Sequence, residues 1–144
     1  SEYVSLANTA RQDLIDLLNI PSDYEVLFLQ GGATLQFSMI PLNFASNKVA
    51  DYVLSGSWSK KAIAEAKQIT NVNIVASAEE SSFNNIPNAD AWATSSDAAY
   101  LHYVANETIQ GNAIHTPPSS KAPLIADMSS VILSEPIDVS KFSK

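Results

Sequence analysis

Residues 25–43, EVLFLQGGATLQFSMIPLN, are predicted to form a strand, a double-glycine turn and the start of a helix. Residues 25–29 are extended-chain formers with an apolar centre, which predicts a buried β-strand. Gly31 and Gly32 end that pattern, and a helix is predicted to begin at Ala33. The side chains expected on the buried face of this helix are those of Leu35, Met39 and Leu42.

A strand, two glycines and a helix start form a turn that directs free backbone N–H groups toward an anion. Glycine permits positive φ and a close approach by a ligand. Thr34 adds a hydroxyl at the same helix end. The spacing matches neither GxGxxG nor GxxxxGK[ST], so an ordinary tight βα turn is the alternative interpretation.

The composition of the 144-residue chain restricts the kinds of protein it can be. Hydrophobic residues make up 46%, which predicts a sizeable core. The net charge is −7, and no basic cluster is larger than Lys60-Lys61, which argues against a nucleic-acid partner. No apolar run reaches the roughly 18 residues of a membrane span, no signal-peptide pattern opens the chain, and cysteine is absent. These features predict a cytoplasmic protein with no membrane partner.

Helical and extended patterns alternate along the rest of the chain. Helices are predicted at residues 1–19 and 60–68, and strands at 48–54, 72–76, 97–104 and 124–126. This alternation predicts one α/β domain over residues 1–144, with a mainly parallel sheet and flanking helices.

Two unusual residues lie where predicted strands end. Trp58 follows Gly56 at the start of the second helix, repeating the strand–glycine–helix order, with Ser57 as the expected N-cap. The alternative for Trp58 is a packing role in the core. Asp127 directly follows a core strand, where open α/β sheets carry ligand-binding groups. A buried carboxylate there needs a cationic partner to stay charged.

The common catalytic patterns do not occur in this sequence. GxSxG, the pattern of a nucleophile elbow, is absent. His102 and His115 have no carboxylate or second histidine at metal-ligand spacing, so no metal site is predicted. His102 is expected to be a packed, hydrogen-bonded core residue.

The remaining candidates are a backbone anion cradle, an aromatic plate, a hydroxyl and a strand-end carboxylate. A pyridoxal phosphate site needs this set: a phosphate cradle, a stacking face, a donor to the ring oxygen and an anion for the pyridinium nitrogen. The residues concerned are Ala33, Thr34, Trp58, Thr108 and Asp127.

Four motifs then show a resemblance to a known family. They are LFLQGGATLQF at residues 27–37, ADYVLSGSWSKKAIAEAK at 50–67, ANETIQG at 105–111 and PLIADMSSVILSEPIDVSKF at 123–142. In this order they resemble the phosphoserine aminotransferase family, pyridoxal-phosphate-dependent enzymes of fold type I. The likeness extends over essentially all 144 residues.

The resemblance implies a role for each candidate residue. Ala33 and Thr34 would hold the cofactor phosphate through their backbone, and Trp58 would stack on the pyridine ring. Thr108 would hydrogen-bond near the phenolic oxygen of the ring, and Asp127 would pair with the protonated ring nitrogen. The implied reaction transfers an amino group between glutamate and 3-phosphohydroxypyruvate in serine biosynthesis, in a cytoplasmic homodimer. Some family members also act in vitamin B6 synthesis.

The same resemblance implies that the chain is a partial large domain. Family chains are more than twice as long, and their Schiff-base lysine follows the DVSKF segment, so it would lie beyond Lys144. Neither Lys141 nor Lys144 has the expected context, so no catalytic residue is assigned. The resemblance also implies that the N-terminal segment and the C-terminal small domain of the family lie outside residues 1–144. The rival interpretations are a non-enzymatic α/β module that binds a phosphorylated small molecule, and a degenerate paralogue that serves as an interaction domain.

Overall fold

The computed structural model describes residues 1–143. Three α-helices occur in that part of the chain: α1 (Glu2–Leu17), α2 (Gly32–Phe44) and α3 (Ser57–Ala66). The strands are β1 (Val49–Leu54), β2 (Asn71–Ser77), β3 (Leu101–Val104), β4 (Asn106–Glu107), β5 (Asn112–Ala113) and β6 (Leu124–Asp127). None of the described helices has the length and apolar content needed to cross a membrane.

Four of the strands form one parallel sheet, which confirms the predicted α/β class. Their order is β2-β1-β3-β6, and β1 is hydrogen-bonded to β2 on one side and to β3 on the other. β4 and β5 make a separate antiparallel hairpin. All four parallel strands end at the same edge of the sheet. The chain adds β2 on one side of β1 and then β3 on the other side, so the order of the strands reverses between β1 and β3. Ligands of open α/β sheets bind at such a switch point, beyond the carboxyl ends of the strands.

The sheet is covered on both faces. On one face α2 and α3 pack over a cluster that includes Phe37, Tyr52 and Ile63. On the other face Val53, Leu101 and Tyr103 pack against irregular segments of the chain. Because β1 lies between two neighbouring strands and two apolar layers, residues 50–54 are almost wholly inaccessible to solvent. This rigid centre fixes the strand ends at the candidate site.

The prediction of a buried strand at residues 25–29 is wrong. This segment is neither helix nor strand, and Leu27, Phe28 and Leu29 are 66%, 60% and 55% exposed. A β-strand requires a hydrogen-bonded neighbour, and within residues 1–143 no strand pairs with this segment. An apolar run therefore predicts the tendency to pair but not the presence of a partner.

The prediction of which side chains of α2 are buried is also wrong. Leu35 and Leu42 are exposed, whereas Phe37 and Pro41 are buried. α2 is apolar on nearly every side, so its periodicity does not select a face. The contact with the sheet does, because the Phe37 ring packs edge-on against His102 in β3, with centroids 6.4 Å apart.

Other element boundaries differ in smaller ways. The predicted strand at 97–104 is shortened to Leu101–Val104, and the β4–β5 hairpin follows it. α3 begins at Ser57, so its N-cap is Gly56 rather than Ser57.

Candidate functional site

A cavity of about 230 Å³ opens at the carboxyl edge of the sheet. Its walls come from the start of α2, the start of α3, the segment after β3 and the end of β6. All five residues singled out from the sequence line it, namely Ala33, Thr34, Trp58, Thr108 and Asp127. The structure therefore brings together residues that lie up to 94 positions apart in the chain.

The start of α2 forms one wall of the cavity. Gly31 is the N-cap, with φ of 102°, and no side chain of the described residues caps this helix end. A Cβ atom on Gly31 would collide with the side chain of Leu35, so both conformation and space require glycine here. Because no side chain of the described residues caps α2, the backbone N–H groups of its first turn, at Ala33 and Thr34, are free to bind an anion.

The start of α3 differs from the start of α2. The two units have the same strand–glycine–helix order in the sequence, but the first-turn N–H groups of α3 are occupied. The Glu107 carboxylate accepts hydrogen bonds from the backbone N–H of Trp58 and of Ser59, both at 2.8 Å. Gln110 Oε1 accepts a third from the N–H of Ser57 at 3.1 Å. Side chains of the protein itself thus satisfy this helix end.

Trp58 and Thr108 are joined by a direct hydrogen bond. The indole Nε1–H of Trp58 donates to Thr108 Oγ1 at 2.9 Å. The hydroxyl hydrogen of Thr108 stays available as a donor to another group. Lys61 Nζ lies 4.4 Å from the centroid of the Trp58 ring, which is cation–π distance, and Lys61 does not line the cavity. The indole is therefore fixed by contacts to its ring and its backbone.

Asp127 is half-buried at the end of β6, opposite Val104 of β3. Its Oδ1 atom accepts hydrogen bonds from the backbone N–H of Ser129, at 3.0 Å, and from the Ser129 hydroxyl, at 2.5 Å. Oδ2 makes no hydrogen bond to any residue in the described part of the chain. The carboxylate thus has one oxygen fixed by its own loop and the other available to a cationic or N–H group.

His102 is buried as predicted, but it is not fully hydrogen-bonded. Its Nδ1 atom has no partner among residues 1–143. The ring stacks on Tyr52, with centroids 4.9 Å apart. Burial lowers the pKa of His102 to about 4, and the nearby Asp127 charge opposes that shift. The imidazole is therefore neutral at physiological pH.

A larger, mainly apolar cavity of about 580 Å³ adjoins the first. The two share Ala33, Phe37, Asp127 and Ser129, and His102 lines only the larger one. The smaller cavity is the better candidate site because the polar groups converge there.

Sequence reasoning missed the residues that support the site. Glu107 and Ser129 hold Trp58 and Asp127, yet neither belongs to a motif that identifies such a role. The signals that were present are weak: an acidic residue directly before Thr108, and a serine two positions after Asp127. The partners of Glu107 lie 48 and 49 residues away, so only the folded chain shows its role.

The lysines nearest the site make surface contacts. Lys60 Nζ forms an ion pair with Glu79 Oε1 at 3.0 Å, and Lys61 lies over Trp58. Lys144, which the sequence analysis rejected as a Schiff-base lysine, lies outside the described residues.

Solved structures of known proteins share this fold. One is a phosphoserine aminotransferase from Bacillus circulans subsp. alkalophilus, 44% identical, with a TM-score of 0.94 over 99% of this chain and 40% of that chain. Another is a phosphoserine aminotransferase from Trichomonas vaginalis described as PLP-bound, 42% identical, with a TM-score of 0.92 over 99% of this chain and 43% of that one.

Sequence relatives agree with the structural ones. Phosphoserine aminotransferases of Pseudomonas aeruginosa and Azotobacter vinelandii are 54% and 53% identical over 143 residues, which is 98% of this chain. The chain spans about 40% of the length of these curated relatives. The family model for class-V aminotransferases matches residues 1–143. With that match over nearly its whole length, the chain belongs to the class-V aminotransferase family.

Proposed function

We propose that residues 1–144 are part of the cofactor-binding large domain of a phosphoserine aminotransferase. The proposed cofactor is pyridoxal 5'-phosphate, and the proposed substrates are glutamate and 3-phosphohydroxypyruvate. The observation that carries the proposal is the convergence of an uncapped helix start, an indole, a hydroxyl and a carboxylate in one cavity. The family match and the names of the relatives support it.

The groups in the cavity fit this cofactor in number and chemistry. The free N–H groups near Ala33 and Thr34 suit a phosphate, because a helix N-terminus favours negative charge. The Trp58 indole offers a flat surface for an aromatic ring. Thr108 retains a hydroxyl hydrogen to donate, and Asp127 retains one free oxygen for a protonated ring nitrogen.

When bound, pyridoxal phosphate supplies an electron-withdrawing ring that lets an amino group move between an amino acid and a keto acid. The task of this chain is to hold and orient that ring. Asp127 provides the negative charge that keeps a ring nitrogen protonated, and Ser129 fixes the direction of that carboxylate. Trp58 and Thr108, which are joined by a hydrogen bond, would orient the ring.

Cytoplasmic location and a homodimer are further parts of the proposal, as is a second role on a phosphorylated substrate in vitamin B6 synthesis. Support for these comes from the family resemblance and, for location, from the acidic, cysteine-free composition. Sedimentation of the whole protein tests the dimer directly.

The decisive test is Asp127→Asn in the whole protein that contains this chain. The amide keeps the size of the side chain and removes its charge, so formation of 2-oxoglutarate from glutamate and 3-phosphohydroxypyruvate should fall at least about 100-fold. Far-UV circular dichroism should be unchanged.

Asp138→Asn is the matched control. Asp138 Oδ1 accepts hydrogen bonds from Ser140 N, at 3.0 Å, and from Ser140 Oγ, at 2.6 Å, the same local arrangement as at Asp127. Asp138 is exposed and lines neither the small nor the large cavity.

Normal turnover by Asp127→Asn would contradict the assigned role. A wild-type protein that binds inorganic phosphate but shows no turnover would favour the non-enzymatic binding module.

A further inference from the structure

Glu107 is a wholly buried carboxylate with no cationic partner in the described part of the chain. It ends the short strand β4, and three donors surround it. Oε1 accepts from Ser59 N at 2.8 Å and from the Ser55 hydroxyl at 3.3 Å, and Oε2 accepts from Trp58 N at 2.8 Å. Burying an ionised group is costly unless such bonds compensate it. Here the partial positive charge of the α3 N-terminus supplies the compensation.

Glu107 and Thr108 hold the same tryptophan at two points. Glu107 binds the backbone N–H of Trp58, and the next residue, Thr108, binds its indole N–H. The dipeptide therefore sets both the position and the rotation of the indole relative to the cavity.

We propose that Glu107 is a positioning residue that fixes the Trp58 indole as a wall of the cofactor cavity. This inference rests on the proposed function for its purpose, but the contact that it describes is measurable without any cofactor. A simple helix cap would stabilise α3 without setting the indole, so the two roles predict different results.

Glu107→Gln separates the two roles. The side-chain amide keeps an oxygen at only one of the two positions that Oε1 and Oε2 occupy, so its NH₂ group faces either Trp58 N or Ser59 N. Because these two N–H groups are consecutive in the chain, the first turn of α3 should shift at Trp58 in either case. Gln110→Ala is the matched control, because it removes the bond to Ser57 N at the same helix end and leaves Glu107 in place.

The first measurement is NMR of the whole protein labelled with ¹⁵N-tryptophan. The indole signal of Trp58 is assigned with Trp58→Phe. That of Trp92, whose Nε1–H donates to Pro87 O at 2.9 Å, serves as an internal reference. Glu107→Gln should shift the Trp58 indole signal and raise its hydrogen-exchange rate at least about tenfold. Trp92 should not change, and Gln110→Ala should leave both signals in place.

The second measurement is pyridoxal phosphate binding, followed through quenching of tryptophan fluorescence. Glu107→Gln should raise the Kd about tenfold, and Gln110→Ala should change it less than twofold. An unshifted Trp58 signal in Glu107→Gln, or equal shifts of Trp58 and Trp92, would overturn the inference. If Glu107→Gln does not fold, Ser55→Ala should give a smaller shift of Trp58 alone, and no shift would count against the inference.

The two proposals can fail separately. A wild-type protein that does not bind pyridoxal phosphate contradicts the proposed function, while the NMR comparison still decides whether Glu107 positions Trp58.

Discussion

At the scale of single residues, the surroundings of His102 keep its imidazole neutral. Its ring lies between Phe37 and Tyr52, and its Nδ1 atom has no partner in residues 1–143. Protonation would place a charge on a side chain that is almost wholly buried. The fold therefore tolerates the imidazole only in its neutral form.

His102 should make the protein less stable in mild acid. Its pKa is about 4 when folded and 6.5 in an unfolded chain, so the unfolded state binds more protons between these values. Stability should be unaffected above pH 6.5 and should fall by about 3 kcal/mol as the pH drops to 4. Urea unfolding at pH 4 to 7.5 should show this loss in the wild type and not in His102→Phe.

The site residues that the sequence predicted are those whose chemistry is out of place locally. A tryptophan at a helix start and an aspartate at the end of a core strand stand out in a linear reading. Glu107 does not, because an acidic residue after a strand is ordinary until its three donors are seen. The sequence therefore indicated the groups that line the cavity, but not the groups that hold them in place.

At the scale of elements, the start of α2 depends on two glycines that tolerate substitution differently. Both have positive φ, 102° for Gly31 and 63° for Gly32. A Cβ atom on Gly32 would meet nothing within 4 Å, whereas one on Gly31 would collide with Leu35. Gly32 is thus needed for its backbone conformation alone, whereas Gly31 is needed for its conformation and for the space beside Leu35.

Gly32→Ala should lower the free energy of unfolding by about 1 kcal/mol, because a left-handed conformation is mildly unfavourable for alanine. Gly31→Ala should lower it by about 3 kcal/mol, because the Leu35 contact adds to the strain. Urea unfolding followed by circular dichroism measures both. Leu35→Ala in the Gly31→Ala background should recover part of the loss, and equal costs for the two glycine variants would contradict the steric argument.

Helix and strand types were mostly predictable, but pairing was not. α3, β1, β2 and β6 lie close to their predicted positions because their apolar patterns are short and clear. Residues 25–29 have an equally clear pattern and form no strand in the described structure, since pairing depends on a neighbour that periodicity does not reveal.

At the scale of the whole molecule, protection from solvent is uneven. β1 is the buried centre of the sheet, whereas α1 has no buried residue. Arg11 joins α1 to residues 25–29 through an ion pair with Glu25 and a hydrogen bond to Val26 O at 3.4 Å. α1 and the segment after it thus form an outer layer that is linked more to itself than to the sheet.

Hydrogen exchange of the 144-residue chain should reflect this layering. Amides of α1 and of residues 25–29 should exchange at least about 100-fold faster than those of β1, because local opening there exposes little apolar surface. Mass spectrometry of peptic peptides measures the difference. Arg11→Ala should speed exchange in residues 25–29 without affecting β1, and uniform protection across the chain would contradict the layered description.

The α/β class of the molecule followed from alternating patterns, and the structure confirms it. The strand order β2-β1-β3-β6 did not follow, because β1 pairs with β3 across about 50 residues of intervening chain. That order is what brings the ends of β1, β3 and β6 to one edge, so the location of the cavity depends on information absent from any local stretch.

The close approach of Glu107 to Gly56 has an evolutionary consequence. Gly56 has extended backbone, φ 174°, which any residue adopts, yet a Cβ atom there would lie 2.6 Å from Glu107 Cδ and 2.7 Å from Gln110 Oε1. Position 56 is therefore constrained by the side chains at positions 107 and 110 rather than by its own conformation. Divergent lineages should keep all three residues or exchange them together, so that a side chain at 56 becomes acceptable only after shorter ones have replaced Glu107 and Gln110.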